Sequence, residues 1–199
     1  MKHYFSKIDF VEPDSNECFL TGRCIKILHG VYSQKKIHDV GIAFPDWTQS
    51  SLGCSIAFVS QSTHHIDTLI SQDYFQQMEH LGYFKIGDIK EHETSNHVIY
   101  CRNQRITKTT TGGMCRRLNR HRMRAQARGE TYNPRLSGQV IDLTDIHKIS
   151  ITSRSTDNEF VIYVQRCAVD EKRPTTDKVN SYGLSNNAHY NFIVPSFTI

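Results

Sequence analysis

No stretch of this 199-residue chain approaches the roughly 18 consecutive apolar residues that a membrane-spanning helix needs, so no membrane partner is expected. The opening Met-Lys-His-Tyr-Phe-Ser-Lys-Ile-Asp-Phe alternates apolar and polar residues where a secretory leader carries an unbroken apolar core, and the expected location is cytoplasmic. Six cysteines occur, at 18, 24, 54, 101, 115 and 167, but none forms a CxxC pair. Neither a zinc ribbon nor a disulfide framework is indicated, and reduced, mostly packed thiols are expected. Eleven histidines include no HExxH, and the adjacent His64 and His65 cannot readily aim at one ion from a regular element. We expect no metal and no cofactor. The Thr109-Thr110-Thr111-Gly112-Gly113 run lacks the GK[ST] of a phosphate-binding loop.

The most informative absence is of acid. Between Thr94 and Gly129 there is no Asp or Glu but nine Lys or Arg: Arg102, Arg105, Lys108, Arg116, Arg117, Arg120, Arg122, Arg124 and Arg128. The whole chain carries only +4, so the other residues sum to −5. Positive charge gathered so sharply in an otherwise acidic chain is a local field for a polyanion, and nucleic acid is the polyanion it suits. Read as a helix over 113–128, the segment aligns Arg116, Arg120, Arg124 and Arg128 at i+4 with Arg117 and His121 on the same flank. Met114, Leu118 and Ala125 form a neighbouring narrow apolar stripe. The alternative, a solvated surface helix, ordinarily intersperses acids for i,i+4 pairing, and the segment has none.

Hydrophobic content of 38%, with ten Phe and nine Tyr, is enough for true cores. Residues 1–92 order as a strand over His3 to Val11, a helix over Glu17 to Gln34, strands over Asp39 to Phe44 and Cys54 to Ser60, a helix over Ile66 to Leu81 and a strand over Tyr83 to Ile89. That βαββαβ order predicts an α+β chain with an N-terminal ferredoxin-like, RRM-like domain over 1–92. Residues 93–199 are expected to form a second, RNA-binding α/β domain that carries the arginine-rich helix. Its elements are a strand-like run from Val98 to Arg105, the basic helix, and strands over Lys148 to Ser153 and Glu159 to Arg166, with Asn191 to Ile199 packing back. The two parts differ in charge, eight basic against eleven acidic residues through His92 and sixteen against nine beyond it.

On the first helix, nine residues at about 100° each set His29 opposite Leu20, and with Leu20 as the centre of the buried stripe His29 points outward. An outward histidine is ordinarily a bystander. Three further pieces accompany it: Ser153-Arg154-Ser155-Thr156 at a hairpin tip, Ser181-Tyr182-Gly183-Leu184-Ser185 with an aromatic hydroxyl before a turn glycine, and His29-Gly30 near a helix end.

Together with Met-Lys-His-Tyr at the start, Ile27-Leu28-His29, Val40-Gly41-Ile42-Ala43-Phe44-Pro45-Asp46 and Arg102-Asn103-Gln104, these motifs resemble the type I-F CRISPR repeat-processing endoribonucleases over essentially the full length. Position 121, the longer approach to the basic helix, Ser181 and the Ser-Asn-Asn after Gly-Leu are similar to the branch carried by CRISPR-associated transposons. The resemblance implies metal-independent cleavage of precursor CRISPR RNA at the 3′ foot of a repeat hairpin, by attack of a ribose 2′-hydroxyl on its own phosphate. His29 would be the general base, Ser153 would hold the ribose, Tyr182 would orient the histidine and Ser155 would assist. Arg102 and Gln104 would read purine edges, and Arg116, Arg117, Arg120 and Arg124 would serve the stem phosphates. It further implies that the protein keeps the mature guide RNA as a subunit of a type I-F Cascade complex, with a transposition protein as a further partner in the transposon branch. A non-catalytic hairpin-binding module of ferredoxin-like fold stands as the alternative, although the aromatic signature of such modules is missing from Val98 to Arg105.

Overall fold

Strand β1 (His3–Phe10) turns Ser6, Ile8 and Phe10 inward, as its alternation predicts. In the computed structural model, which describes residues 2–12, 16–92, 96–134, 144–152, 159–186 and 189–197 but not the side chains of 107 and 108, it is the centre of the first sheet. Helix α1 (Glu17–Lys35) begins at Asn16, whose side chain accepts from Phe19 N, and stops where Lys36 turns left-handed at φ 55°. Strands β2 (Gly41–Ala43) and β3 (Ser55–Ser60) follow, every residue of both buried.

The single helix expected over Ile66 to Leu81 is two: α2 (Thr63–Ile70) and α3 (Asp73–His80). The two are separated at Ser71 and Gln72, and Ile66 and Leu69 from one and Phe75 from the other reach the core. The closing strand is likewise split, into β4 (Phe84–Ile86) and β5 (Lys90–His92), both antiparallel to β1 along the same edge. The sheet order is β2-β3-β1-β4, antiparallel throughout, which is the ferredoxin-like arrangement.

The second half repeats that strand order. β6 (His97–Arg102), β7 (Ile146–Thr152), β8 (Glu159–Ala168) and β9 (Val194–Pro195) pair antiparallel in the order β7-β8-β6-β9. Helices α4 (Gln104–Thr109) and α5 (Thr111–Ala127) lie between β6 and β7 in sequence. The strand-like run to Arg105 thus ends three residues early, because Asn103 caps a helix: its side chain accepts from Arg105 N at 3.0 Å. The Thr-Thr-Thr-Gly-Gly run is not a loose approach but a helix start, with the Thr110 hydroxyl accepting from Gly113 N. Among the described residues no helix is long and apolar enough to cross a membrane.

One cluster of buried side chains draws on both sheets. At the seam, Tyr100 donates its hydroxyl to Phe44 O at 3.2 Å and sets its ring edge-on to Phe44, while Trp47 donates Nε1 to Asp145 Oδ1 at 2.9 Å. Burial pushes the Tyr100 phenol up to about 12, so it remains a donor. Helix α1 runs along the free edge of β7, closely enough that a Cβ at Gly22 would collide with Ser150 O. Gly22→Ala is therefore expected to destabilise by about 1–3 kcal/mol through overpacking. Gly30→Ala, in the same helix with no atom within 4 Å of the added carbon, should stabilise by about 0.5–1 kcal/mol. Urea unfolding of the two variants measures both signs.

His3 packs between the sheets, 2% exposed and against the rings of His97 and Phe192. Burial first, then the neighbouring His97, the N-terminal amine and His92, holds its pKa below the ordinary range. The folded state therefore binds fewer protons here than the unfolded chain does. The stability this group contributes is present at neutral pH and lost as pH falls through about 6.5 and below. His3→Gln should flatten that decline in melting temperature between about pH 7 and pH 5.

Candidate active site and nucleic-acid interface

On helix α1 the buried arc runs from Val31 and Cys24 through Leu28, Thr21 and Ile25 to Gly22. At about 100° per residue this puts Leu20 at the rim of the arc and His29 between Ile25 and Gly22. The expected outward position of His29 is thus corrected: it is half-buried. The reason is a contact that helix periodicity cannot contain, since the chain returns 152 residues later and lays the Ser181–Tyr182 turn on it.

That turn is built by Asn180 and Gly183. The Asn180 side-chain oxygen accepts from Tyr182 N at 2.8 Å and from Leu184 N at 3.3 Å, an Asx arrangement that closes the loop. Gly183 has φ 71°, and a Cβ there would stand 2.5 Å from Leu28 Cδ2. Its carbonyl accepts from Ile42 N at 2.9 Å, tying the turn to β2, and Ser185 exchanges backbone hydrogen bonds with Tyr100 O and Arg102 N, tying it to β6.

The result is a layered group of three side chains. His29 and Tyr182 stack with centroids 5.1 Å apart and planes 11° from parallel. The Arg102 guanidinium carbon lies 4.7 Å from the centre of the Tyr182 ring. His29 Nδ1 is 3.0 Å from Ser181 O. A carbonyl only accepts, so Nδ1 holds the proton and Nε2 presents its lone pair, the tautomer of a base. Phe160 on β8 sets an edge toward Tyr182 at 6.3 Å.

Arg102, at the end of β6, and Gln104, opening α4, flank the buried Asn103, which donates to Gln165 Oε1 at 2.8 Å and so pins the strand-to-helix corner. Gln104 is exposed. From there α4 leads to α5, which stands out with Arg116, Arg117, Arg120 and Arg124 all exposed. Among the described residues none of these four has a carboxylate within ion-pair distance. The apolar stripe is thinner than expected, for Ala125 is buried but Met114 is 42% exposed. The helix itself carries no acid; just beyond its end Arg128 forms a two-pronged pair with Glu130, at 2.9 and 2.7 Å, fully in solvent and energetically minor. Ser153 and Ser155 lie outside the described residues.

Local sequence assigns no site role to Asn103, Asn180 or Phe160, although Asn103 stands within the Arg102-Asn103-Gln104 motif. The two asparagines carry a signal, one as a helix N-cap and one before a turn glycine. Phe160 carries none, being one more apolar residue of a strand.

The family model described as CRISPR-associated protein (Cas_Csy4) matches residues 7–197. The chain belongs to this CRISPR-associated family, as its motifs indicated. No curated protein matches it. Among solved structures it is similar to a CRISPR RNA processing endoribonuclease Cas6b, at 12% identity and TM-score 0.35, with 98% of this chain and 99% of that one covered. A second Cas6b structure matches at 11% identity and TM-score 0.31, with the same coverage. Both are too distant to carry residue-level correspondence.

The tautomer is directly testable: nitrogen-resolved NMR of the imidazoles above pH 8 should show His29 protonated at Nδ1 and bare at Nε2. A proton on Nε2 would contradict the Ser181 contact.

Proposed function

We propose that this protein is an endoribonuclease that cuts precursor CRISPR RNA at the 3′ foot of its repeat hairpin without a metal ion. His29 Nε2 removes the proton of the ribose 2′-hydroxyl. The 2′-oxygen then attacks the adjacent phosphorus, and the bond to the 5′-oxygen of the next nucleotide breaks. A proton returned from the imidazolium or from water gives that oxygen its 5′-hydroxyl, and the other product ends in a 2′,3′-cyclic phosphate. Because the nucleophile belongs to the RNA, no activated water is needed. Tyr182 keeps the imidazole ring in its plane, while Ser153 steadies the reacting ribose with help from Ser155.

The single observation that carries this reading is the continuity from His29 through Tyr182 to Arg102. A base with a free Nε2 stands one ring away from the residue that opens the basic segment. Arg102 and Gln104 suit guanine and adenine edges respectively, and α5, about 25 Å long, offers exposed guanidinium groups to the stem phosphates. A-form RNA hides its major groove from ordinary side chains, so a lone arginine rod set against a short hairpin is the arrangement that reaches it. After cutting, the protein remains on the guide RNA as a terminal subunit of a type I-F Cascade complex, in the transposon-associated branch linked through a transposition protein to a transposase.

His29→Ala should leave hairpin affinity within about 3-fold while abolishing cutting, and Tyr182→Phe should lose less, because it removes orientation and not proton transfer. Single-turnover cleavage of a repeat hairpin, with a 2′-deoxy control and with EDTA present, checks the base, the nucleophile and the metal in one series. Tight binding without any cutting by the wild type would favour the hairpin-binding alternative. Affinity should also fall by about 10³-fold or more between 50 and 200 mM salt, as expected for six or more phosphate contacts.

A further inference from the structure

We infer that Lys26 is a further catalytic residue of this site, placing its ammonium on the scissile phosphate; the inference rests on the endoribonuclease reading above. Its position follows from how α1 and β7 run side by side. Lys148 acts electrostatically on the Cys18 thiol, and Ser150 O faces Gly22. Four helix residues thus advance with two strand residues, about 6 Å against about 6.6 Å. The next such step pairs Lys26 with Thr152, the last described residue of β7.

The same level of the molecule holds the rest of the group. Phe160 is the strand partner of Ile151 and sets its edge on Tyr182, which stacks on His29. Lys26 lies three residues before His29, so their Cβ atoms are about 5–6 Å apart on one flank of the helix. The end of β7, the Tyr182 turn and this flank of α1 therefore converge, and Lys26 stands at the convergence.

Two properties mark it out among the lysines of this half. It is half-buried, whereas Lys35, at the end of the same helix, and Lys36, just past it, are exposed. It also has no hydrogen-bond or ion-pair partner among the described residues. Lys7, in contrast, is spent on Asp9 and Asp46, and Lys2 on Glu91. A half-buried lysine without a carboxylate partner among the described residues, beside a histidine base and in an otherwise acidic half of the chain, is a site for an anion that arrives from outside.

At the reacting centre negative charge grows on the phosphoryl oxygens as the 2′-oxygen bonds to phosphorus and the bond to the 5′-oxygen lengthens. A fixed cation aimed there stabilises the transition state more than the ground state, which raises the rate without tightening binding in proportion. Lys26 keeps its proton throughout, and the proton transfers remain those of His29. A purely structural role would show as lost stability without lost cutting, which the melting temperature reads.

The test compares full-length wild type, Lys26→Met and Lys26→Arg on a repeat hairpin RNA, with single-turnover cleavage at saturating protein, affinity for the 2′-deoxy hairpin, and melting temperature. Lys26→Met should cut about 100-fold more slowly. Its affinity should stay within about 3-fold of wild type, and its pH–rate midpoint should not move. Lys26→Arg should recover to within about 10-fold of wild type, since the charge is kept. Undiminished cutting by Lys26→Met, a loss confined to affinity, a moved pH–rate midpoint, or a lowered melting temperature with intact cutting would each overturn the assignment. Failure of the wild type itself to cut would overturn the endoribonuclease reading instead, so the two failures are told apart.

Discussion

The seat of Gly183 against Leu28 and Ile42 is the contact on which the site depends. The left-handed backbone at this residue and the lack of space for a Cβ each demand glycine, and they demand it for the same purpose. The turn from Asn180 to Ser185 is thereby bound to α1, to β2 and to β6 at once. One short segment fastens α1 and β2 to β6 at the place where His29 and Arg102 come close, and it supplies Tyr182 between them. Histidine orientation, tautomer and distance to the basic segment are all set by how this turn docks. None of the three follows from α1 alone.

The molecule also separates packing from charge. The first sheet buries β2 and β3 completely and carries a net acidic sequence. The arginines stand on α5, whose buried residues are few and small, Gly113 and Ala125. Such a helix gains little from apolar burial and owes its start to Thr110 and its attachment to α4. The gain is a set of guanidinium groups kept hydrated and, over most of the helix, free of carboxylates. They form a long-range positive field of the kind a polyanion meets, set apart from the packed seam where His29, Tyr182 and Arg102 lie together.

Much of this was legible in the chain. The βαββαβ order, the start of α1 near Glu17, the extent of α5 and its exposed arginines follow from short-range periodicity and from an acid-free composition. Errors fell where two requirements met at one residue. Val98 to Arg105 carries strand-like residues throughout, yet Asn103 can satisfy a helix start and does so, because its amide also finds Gln165 on the adjacent strand. Ile66 to Leu81 carries helical spacing throughout, yet the first helix closes where Ser71 N donates to Asp67 O and Gln72 N to Leu69 O, and a second helix starts at Asp73. The second sheet's repeat of the first sheet's strand order was not legible, since its strands are joined by connections of unlike length and one of its helices has no counterpart.

The sequence by itself determined most of the elements, the polarity of each half and the residue types available for chemistry, because these depend on neighbours within a few positions. Only the tertiary structure decided that His29 is covered and not outward, that its Nδ1 is committed to Ser181 O, and that Tyr182 bridges it to Arg102. Those are contacts between residues some 80 to 150 positions apart, and their geometry is fixed by the packing of a turn against a helix, which no local pattern encodes.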